Sequence, residues 1–289
     1  MIDSIVGLEK YQKSKAKTIC LGTFDGFHKG HQKLAEHSDF MITFDPHPKS
    51  IIQTKSSIDR LTFPNELKYF VPNLLIIPFT KQVSQMNANQ FLVEFIEPLQ
   101  PSKITIGYDF KFGKNGDGNF NVLNDWGKKH HCEIIQINLQ MHHDKTPYKS
   151  SIIRKELTNN PNYAFELLGH PYLISGHVIE GDKRGHKIGF PTANIMSQKN
   201  KCIPKFGVYQ SQAIVNEKTY NSITYIGKKP TFKSKEPSIE THILDGFSKT
   251  IYGTEINVLI SKFIRDDIRF ENKNALITQI RKDIQSIKN

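Results

Sequence analysis

The sequence predicts an α/β domain followed by an all-β barrel, and three observations carry that reading. Over roughly the first half, short β-rich runs alternate with stretches of helical spacing, the pattern of right-handed βαβ units around a parallel sheet. Near Asn159-Asn160-Pro161 the pattern changes. Beyond it, strand-like runs follow one another with turn residues between them and little helix, which suggests a small antiparallel barrel. A length of 289 residues suits two domains. The boundary is expected around residues 158–172, giving domains of 1–158 and 159–289.

In the first domain, strands are expected at 18–21, 40–44, 74–78, 103–107 and 132–137. The first runs into the Gly-rich turn 22–30, the second into Asp45-Pro46-His47-Pro48, and the fourth into the Gly- and Asp-rich segment 108–118. Residues 87–98 have helical spacing, with Phe91, Phe95 and Ile96 on one face. A helix start is expected at Ser150 and Ser151, both suitable caps. A short helix at 163–168 stops at Gly169-His170-Pro171. Five strand runs follow at 173–180, 207–215, 220–226, 238–244 and 255–263. The closing segment, 274–287, returns to helix with Leu276, Ile280, Ile284 and Ile287 on one face.

Composition narrows the function. Hydrophobic residues at 37% and charged residues at 23% are those of a folded chain. The longest aliphatic run, 74–77, is far short of the roughly 20 residues that span a bilayer. The N-terminal stretch has no signal-peptide pattern. Cys20, Cys132 and Cys202 are odd in number and widely spaced, which fits a reducing cytoplasm and no disulfide framework. A net charge of +11 favours polyanionic ligands. The lysines are spread through the chain with no basic block, so no nucleic-acid partner and no membrane is expected.

Two constellations carry chemistry. Residues 21–34 read LGTFDGFHKGHQKL, a strand entering a Gly-rich turn and then a helix. His28 and His31 flank Gly30, which lets a phosphate approach the backbone. Helix-start N–H groups and two imidazoles can stabilise a phosphate gaining charge. Ligands of open α/β sheets sit beyond the carboxyl ends of the strands. Phe44 with Asp45-Pro46-His47-Pro48, Asp109 with Phe110 and Phe112, and Ser150, Ser151 and Arg154 all fall there. The phenylalanines offer flat apolar surface to a ring system, and Arg154 can pair with a phosphate.

The second constellation reads GHVIEGDKRGHKIGFPTANI over residues 176–195, with Gly181, Gly185 and Gly189 four apart. Such a loop can wrap phosphates with its N–H groups. Thr192 and Asn194 offer neutral oxygens to a hard Mg²⁺ ion. Glu240 and His242 share one face of an expected strand, with Ile239, Thr241 and Ile243 on the other. A carboxylate beside a metal–nucleotide site can take the proton from an alcohol nucleophile.

In this order the two constellations resemble the bifunctional riboflavin kinase/FMN adenylyltransferase family of bacteria, the FAD synthetases. The resemblance covers nearly the whole chain, through LGTFDGFHKGH, FDPHP, GYDFKFG, SSIIR, GFPTAN, FGVY, IGKKPTF, IETHILD and IRDDIRF. It implies a Rossmann-like nucleotidyltransferase domain and a six-stranded riboflavin kinase barrel with a terminal helix. It implies two Mg²⁺-dependent reactions: riboflavin and ATP give FMN, and FMN and ATP give FAD and pyrophosphate. His28 and His31 match the pair acting at the α-phosphate. Gly22, Thr23, Phe24, Gly30, Ser151 and Arg154 fall on the ATP side. Phe44, Pro46, Pro48, Asp109, Phe110 and Phe112 fall on the flavin side. In the kinase, Gly181, Lys183, Gly185 and Gly189 fall on ATP, Thr192 and Asn194 on Mg²⁺-ATP, Glu240 on the catalytic base, and Arg265 and Phe270 near the flavin. The enzyme is expected in the cytoplasm, as a monomer or weak homo-oligomer. The alternative is a kinase alone, with a weak or inactive adenylyltransferase domain. The chain departs from the family at a shortened helix after His31 and at Lys149, His186, Gly246 and Thr250.

Overall fold

A computed structural model describes residues 2–15, 17–52, 59–181, 185–228, 237–244, 247 and 250–287. The chain divides into two compact units, residues 1–150 and 151–289. The first unit is built on five parallel strands: β1 (Thr18–Leu21), β2 (Phe40–Asp45), β3 (Leu74–Pro78), β4 (Lys103–Gly107) and β5 (Glu133–Ile137). Their order is β3-β2-β1-β4-β5. The chain moves outward from β1 in one direction, then returns to β1's other side with β4. That reversal puts a crevice at the carboxyl ends of β1 and β4.

Side chains alternate along each strand, so both faces of the sheet are apolar. On one face Ile19, Leu21, Ile42, Phe44, Ile104 and Ile106 pack with Phe91, Phe95, Leu123 and Trp126. On the other, Cys20 and Met41 meet Phe27, Leu34, Leu67 and Val71. Burial pushes the Cys20 and Cys132 thiols up to about 12, so both are inert at neutral pH. The helical segment expected at 87–98 begins with an Asn87–Gln90 capping box. It then passes from an α-helical turn, Ala88–Phe91, through a π turn, Leu92–Ile96, to a 3₁₀ turn, Glu97–Leu99. Phe91, Phe95 and Ile96 are all buried, as their spacing requires.

Helix Ser150–Asn159 leads into the second unit, where helix Pro161–Leu168 precedes a closed antiparallel barrel. Its strands are β6 (Tyr172–Ile179), β7 (Ala193–Ser197), β8 (Gly207–Val215), β9 (Lys218–Lys228), β10 (Pro237–Ile243) and β11 (Glu255–Asp266). They close in the order β10-β7-β6-β11-β8-β9. Helix Lys273–Ser286 follows. Spacing counts only five of these strands. The sixth, β7, fully buries Ile195 alone and so shows no apolar alternation. The β8–β9 connection turns on Asn216 and Glu217, both with positive φ, as a two-residue hairpin requires.

The barrel wall contains a buried chain of hydroxyls. Ser211 Oγ lies 2.8 Å from Ser222 Oγ and 2.7 Å from Thr224 Oγ1, and Thr224 Oγ1 lies 2.9 Å from Thr241 Oγ1. These residues come from β8, β9 and β10, and each pairs its polar group where water does not reach.

Candidate active sites

In the first unit, β1 ends at Leu21 and the loop that follows turns sharply before helix Lys29–Ala35. Phe24, Gly26 and Phe27 all have positive φ, at 47°, 92° and 40°. Two bulky residues in left-handed backbone need outside support. Asp25 supplies it. Its carboxylate is 1% exposed and accepts hydrogen bonds from the Leu61 N–H at 2.8 Å and the Thr62 N–H at 3.0 Å. Its carbonyl accepts from Ser150 Oγ at 2.7 Å. The Gln32 amide donates to the Phe27 carbonyl at 2.8 Å, and Thr43 Oγ1 to the Thr23 carbonyl at 3.1 Å.

This loop presents the two histidines. His28 caps the helix, its Nδ1 accepting from the His31 N–H at 3.4 Å. The imidazoles stack, with centroids 3.6 Å apart and planes 16° from parallel. Phe24, expected on the ATP side, is buried and packs edge-on against His31 at 5.4 Å. Burial, then the adjacent His28, holds the His31 imidazole well below its ordinary range, so it is neutral at pH 7. Its Nδ1 is buried and has no hydrogen-bond partner among the described residues. The packing at Gly30 is close: a Cβ there would lie 3.2 Å from both His28 Nδ1 and Tyr148 Cβ. Gly22 follows β1 directly, and its N–H donates to the Ile42 carbonyl at 3.1 Å.

The aromatic residues gather around Phe91. Phe44 lies 6.1 Å and Phe112 5.7 Å from that ring, and Phe110 stacks on Phe112 at 5.8 Å. Phe44 and Phe112 are buried, whereas Phe110 is half-buried. Pro46 and Asp109 are exposed beyond β2 and β4, and Pro48 begins helix Pro48–Ile52. Asp45 pairs with the buried Arg60 at 2.9 Å. Asp25, Arg60 and Phe91 were not among the expected site residues. Asp25 lies inside the GTFDGFH motif, which was the available signal; Arg60 and Phe91 are revealed only by contact.

In the second unit, Ser151 is exposed and Arg154 half-buried on helix Ser150–Asn159. The barrel groups several expected kinase residues. In the β7–β10 ladder Asn194 lies opposite Glu240 and Ala193 opposite Thr241. Ile239, Thr241 and Ile243 are buried, while Glu240 and His242 are half-buried on the other face. Thr192 Oγ1 lies 3.4 Å from Glu240 Oε2, and Ser238 Oγ donates to Glu240 Oε1 at 3.0 Å. Tyr225 is opposite Glu240 on β9. Burial first, then Asp267 and Glu240, pushes its phenol up to about 12.

A cavity of about 270 Å³ is lined by Gly181, His186, Pro191, Thr192, Asn194, Thr250 and Tyr252. Gly181 lies against the Asn194 side chain so closely that a Cβ would meet the amide nitrogen at 2.2 Å. Gly185 and Gly189 bracket the 3₁₀ turn His186–Ile188. Lys183, expected on the ATP side, lies outside the described residues. Arg265 is held by Asp283, with Nε 3.0 Å from both carboxylate oxygens and Nη2 2.8 Å from Oδ2. Its guanidinium carbon lies 5.8 Å from the Phe270 ring centre.

Comparisons with known proteins match both halves of the chain. The FAD synthetase family profile matches residues 10–151, and the riboflavin kinase profile residues 168–289. A bifunctional riboflavin kinase/FMN adenylyltransferase of Buchnera aphidicola subsp. Schizaphis graminum is 35% identical over 100% of this chain and 97% of its own. The Bacillus subtilis protein of that name is 34% identical over 95% of this chain and 92% of its own. A solved structure described as a macrolide-efflux protein from Streptococcus pneumoniae has a TM-score of 0.80 and 26% identity, covering 96% of this chain and 97% of that one. Among the described residues no helix is long and apolar enough to cross a membrane. With both enzymatic domains matched in sequence order, the chain belongs to the bifunctional riboflavin kinase/FMN adenylyltransferase family.

Proposed function

We propose that the barrel site phosphorylates riboflavin and that the crevice beside β1 adenylylates the resulting FMN. In the first reaction the ribityl hydroxyl oxygen attacks the γ-phosphorus of ATP, and the bond to the bridging oxygen of ADP breaks. Glu240 takes the hydroxyl proton, because an alcohol is not ionised at neutral pH. Ser238 and Thr192 hold that carboxylate in place. Thr192 and Asn194 present neutral hard oxygen donors, which suit Mg²⁺. Among the described residues no group of three His, Cys, Asp or Glu side chains could hold a metal alone. That donor set fits an ion arriving with the phosphates of ATP, where it would neutralise charge on them. Arg265 and Phe270 serve the flavin side.

In the second reaction an FMN phosphate oxygen attacks the α-phosphorus of ATP and pyrophosphate leaves. The nucleophile is already an anion, so no base is required. His28 and His31 act at the α-phosphate, and the half-buried Phe110, backed by Phe112 and Phe91, serves the flavin side. The observation that carries this reading is the stacked imidazole pair with a buried, unpartnered His31 Nδ1. A buried polar atom without a partner calls for one, and beside the stacked His28 ring a ligand oxygen can supply it. We take the enzyme to act in the cytoplasm, as a monomer or weak homo-oligomer. Three free, buried cysteines fit that compartment.

The test is a chromatographic time course started separately from riboflavin and from FMN. His28→Ala should stop FAD formation and spare FMN formation. Glu240→Gln should stop FMN formation and leave FAD formation from supplied FMN. Loss of both activities from either substitution would overturn the assignment of separate sites.

A further inference from the structure

The strand face that carries Glu240 also carries His242, whose role the two reactions leave unassigned. Its Nδ1 lies 2.7 Å from the Pro191 carbonyl oxygen. A carbonyl only accepts, so Nδ1 carries the proton and donates. The ring also meets Phe190 edge-on, with centroids 5.6 Å apart. His242 therefore grips the two residues that immediately precede Thr192.

The register explains why a side chain is needed there. The β7–β10 ladder pairs Glu240 with Asn194 and Thr241 with Ala193, and β7 begins at Ala193. One step further the same register would set His242 opposite Thr192. The ladder has ended, and the imidazole bond to Pro191 continues the attachment. Thr192 is thus held between two points of β10: its hydroxyl at Glu240 and the carbonyl before it at His242. Pro191 and Thr192 also line the cavity beside Asn194.

We propose that His242 is a positioning residue of the phosphoryl-transfer site, fixing Thr192 against Glu240 through the Pro191 carbonyl. The inference rests on the reading that Thr192, Asn194 and Glu240 form that site. The N–H donor, rather than the bulk of the ring, does the positioning. Displacing a catalytic constellation by about 1 Å costs on the order of a hundredfold in rate.

Two substitutions in the full chain separate donor from ring. His242→Asn keeps an N–H near the position of Nδ1 and removes the ring. His242→Phe keeps a ring against Phe190 and removes the donor. Riboflavin kinase kcat and the KM for ATP are measured per folded molecule, with the folded fraction taken from circular dichroism. FAD formation from supplied FMN serves as an internal control. His242→Phe should lose ~100-fold in kinase kcat, and His242→Asn should stay within ~5-fold of the parent. The reverse order, or equal kcat in both variants, overturns the proposal. Thr192→Val is run alongside. If it leaves FMN formation intact, the site reading fails and the proposal with it. If it stops FMN formation while His242→Phe does not, the His242 proposal alone fails.

Discussion

Replacing Asp25 with alanine tests how the adenylyltransferase loop is held. The carboxylate accepts two backbone N–H groups, from Leu61 and Thr62, and those residues are 0% and 6% exposed. Stranding a buried donor costs about 1–3 kcal/mol, so two cost about 2–6 kcal/mol before relaxation. Partial water entry brings the expected loss to roughly 3 kcal/mol. For a domain of about 150 residues this is a fall in Tm of roughly 6–12 °C, which leaves a folded protein at low temperature. The kinetic effect should be larger than the folded fraction explains. Asp25 lies three residues before His28, and without its anchor the left-handed turn at Phe24 and Phe27 loses its tie to the 61–62 segment. FAD formation from FMN, assayed at 15 °C and corrected for folded fraction, should fall about a hundredfold. FMN formation from riboflavin should persist. Asp25→Asn, which keeps an accepting oxygen, should recover most of the loss. An Asp25→Ala protein whose Tm moves by less than about 2 °C and whose FAD formation stays within about twofold would refute this reasoning.

Three further expectations follow from the geometry. His31 is held neutral in the folded chain, whereas the unfolded imidazole titrates near about 6.5. The unfolded state therefore binds the proton first as pH falls, so stability present above about 6.5 is lost below it. His31→Gln should shrink the drop in Tm between about pH 7.5 and 5.5, and parallel losses in parent and variant would contradict the buried neutral state. Gly181→Ala would press a methyl group into the Asn194 amide; kinase kcat should fall at least about tenfold with FAD formation from FMN unchanged. Asp283→Asn breaks a bidentate pair whose side chains are 18% and 4% exposed at Arg265 and Asp283. Calorimetry should show a loss of about 3 kcal/mol, and the KM for riboflavin should rise; an unchanged KM would detach Arg265 from the flavin side.

Most of the fold was legible because apolar runs and turn residues mark parallel strands clearly. Phe40–Asp45 and Leu74–Pro78 are largely apolar segments buried on both faces, and Lys103–Gly107 buries Ile104 and Ile106 around Thr105. Strand Ala193–Ser197 was not, because Asn194 lines the cavity, Met196 is exposed and only Ile195 is buried. The candidate sites were legible as motifs, since HxGH, GFPTAN and ExH each crowd polar groups into a few residues. Their supports were not. Asp25 reaches a segment 36 residues on, Arg60 meets Asp45, and Asp283 reaches back to Arg265. Such long-range pairs have no periodicity to betray them. Phe24 shows the opposite case: its place in the motif suggested contact with ATP, and its burial instead makes it a floor beneath His31.

The buried hydroxyls of Ser211, Ser222, Thr224 and Thr241 have a consequence for the outside of the barrel. If β10 slid by one residue, Thr241 would swing outward and Glu240 would enter the apolar interior. The slipped form would strand polar groups on the inside and desolvate a carboxylate, a penalty of several kcal/mol. Alternative alignments are thereby excluded from within. The half-buried pairing of Glu240 with Asn194 is thereby set by four small alcohols buried within the barrel.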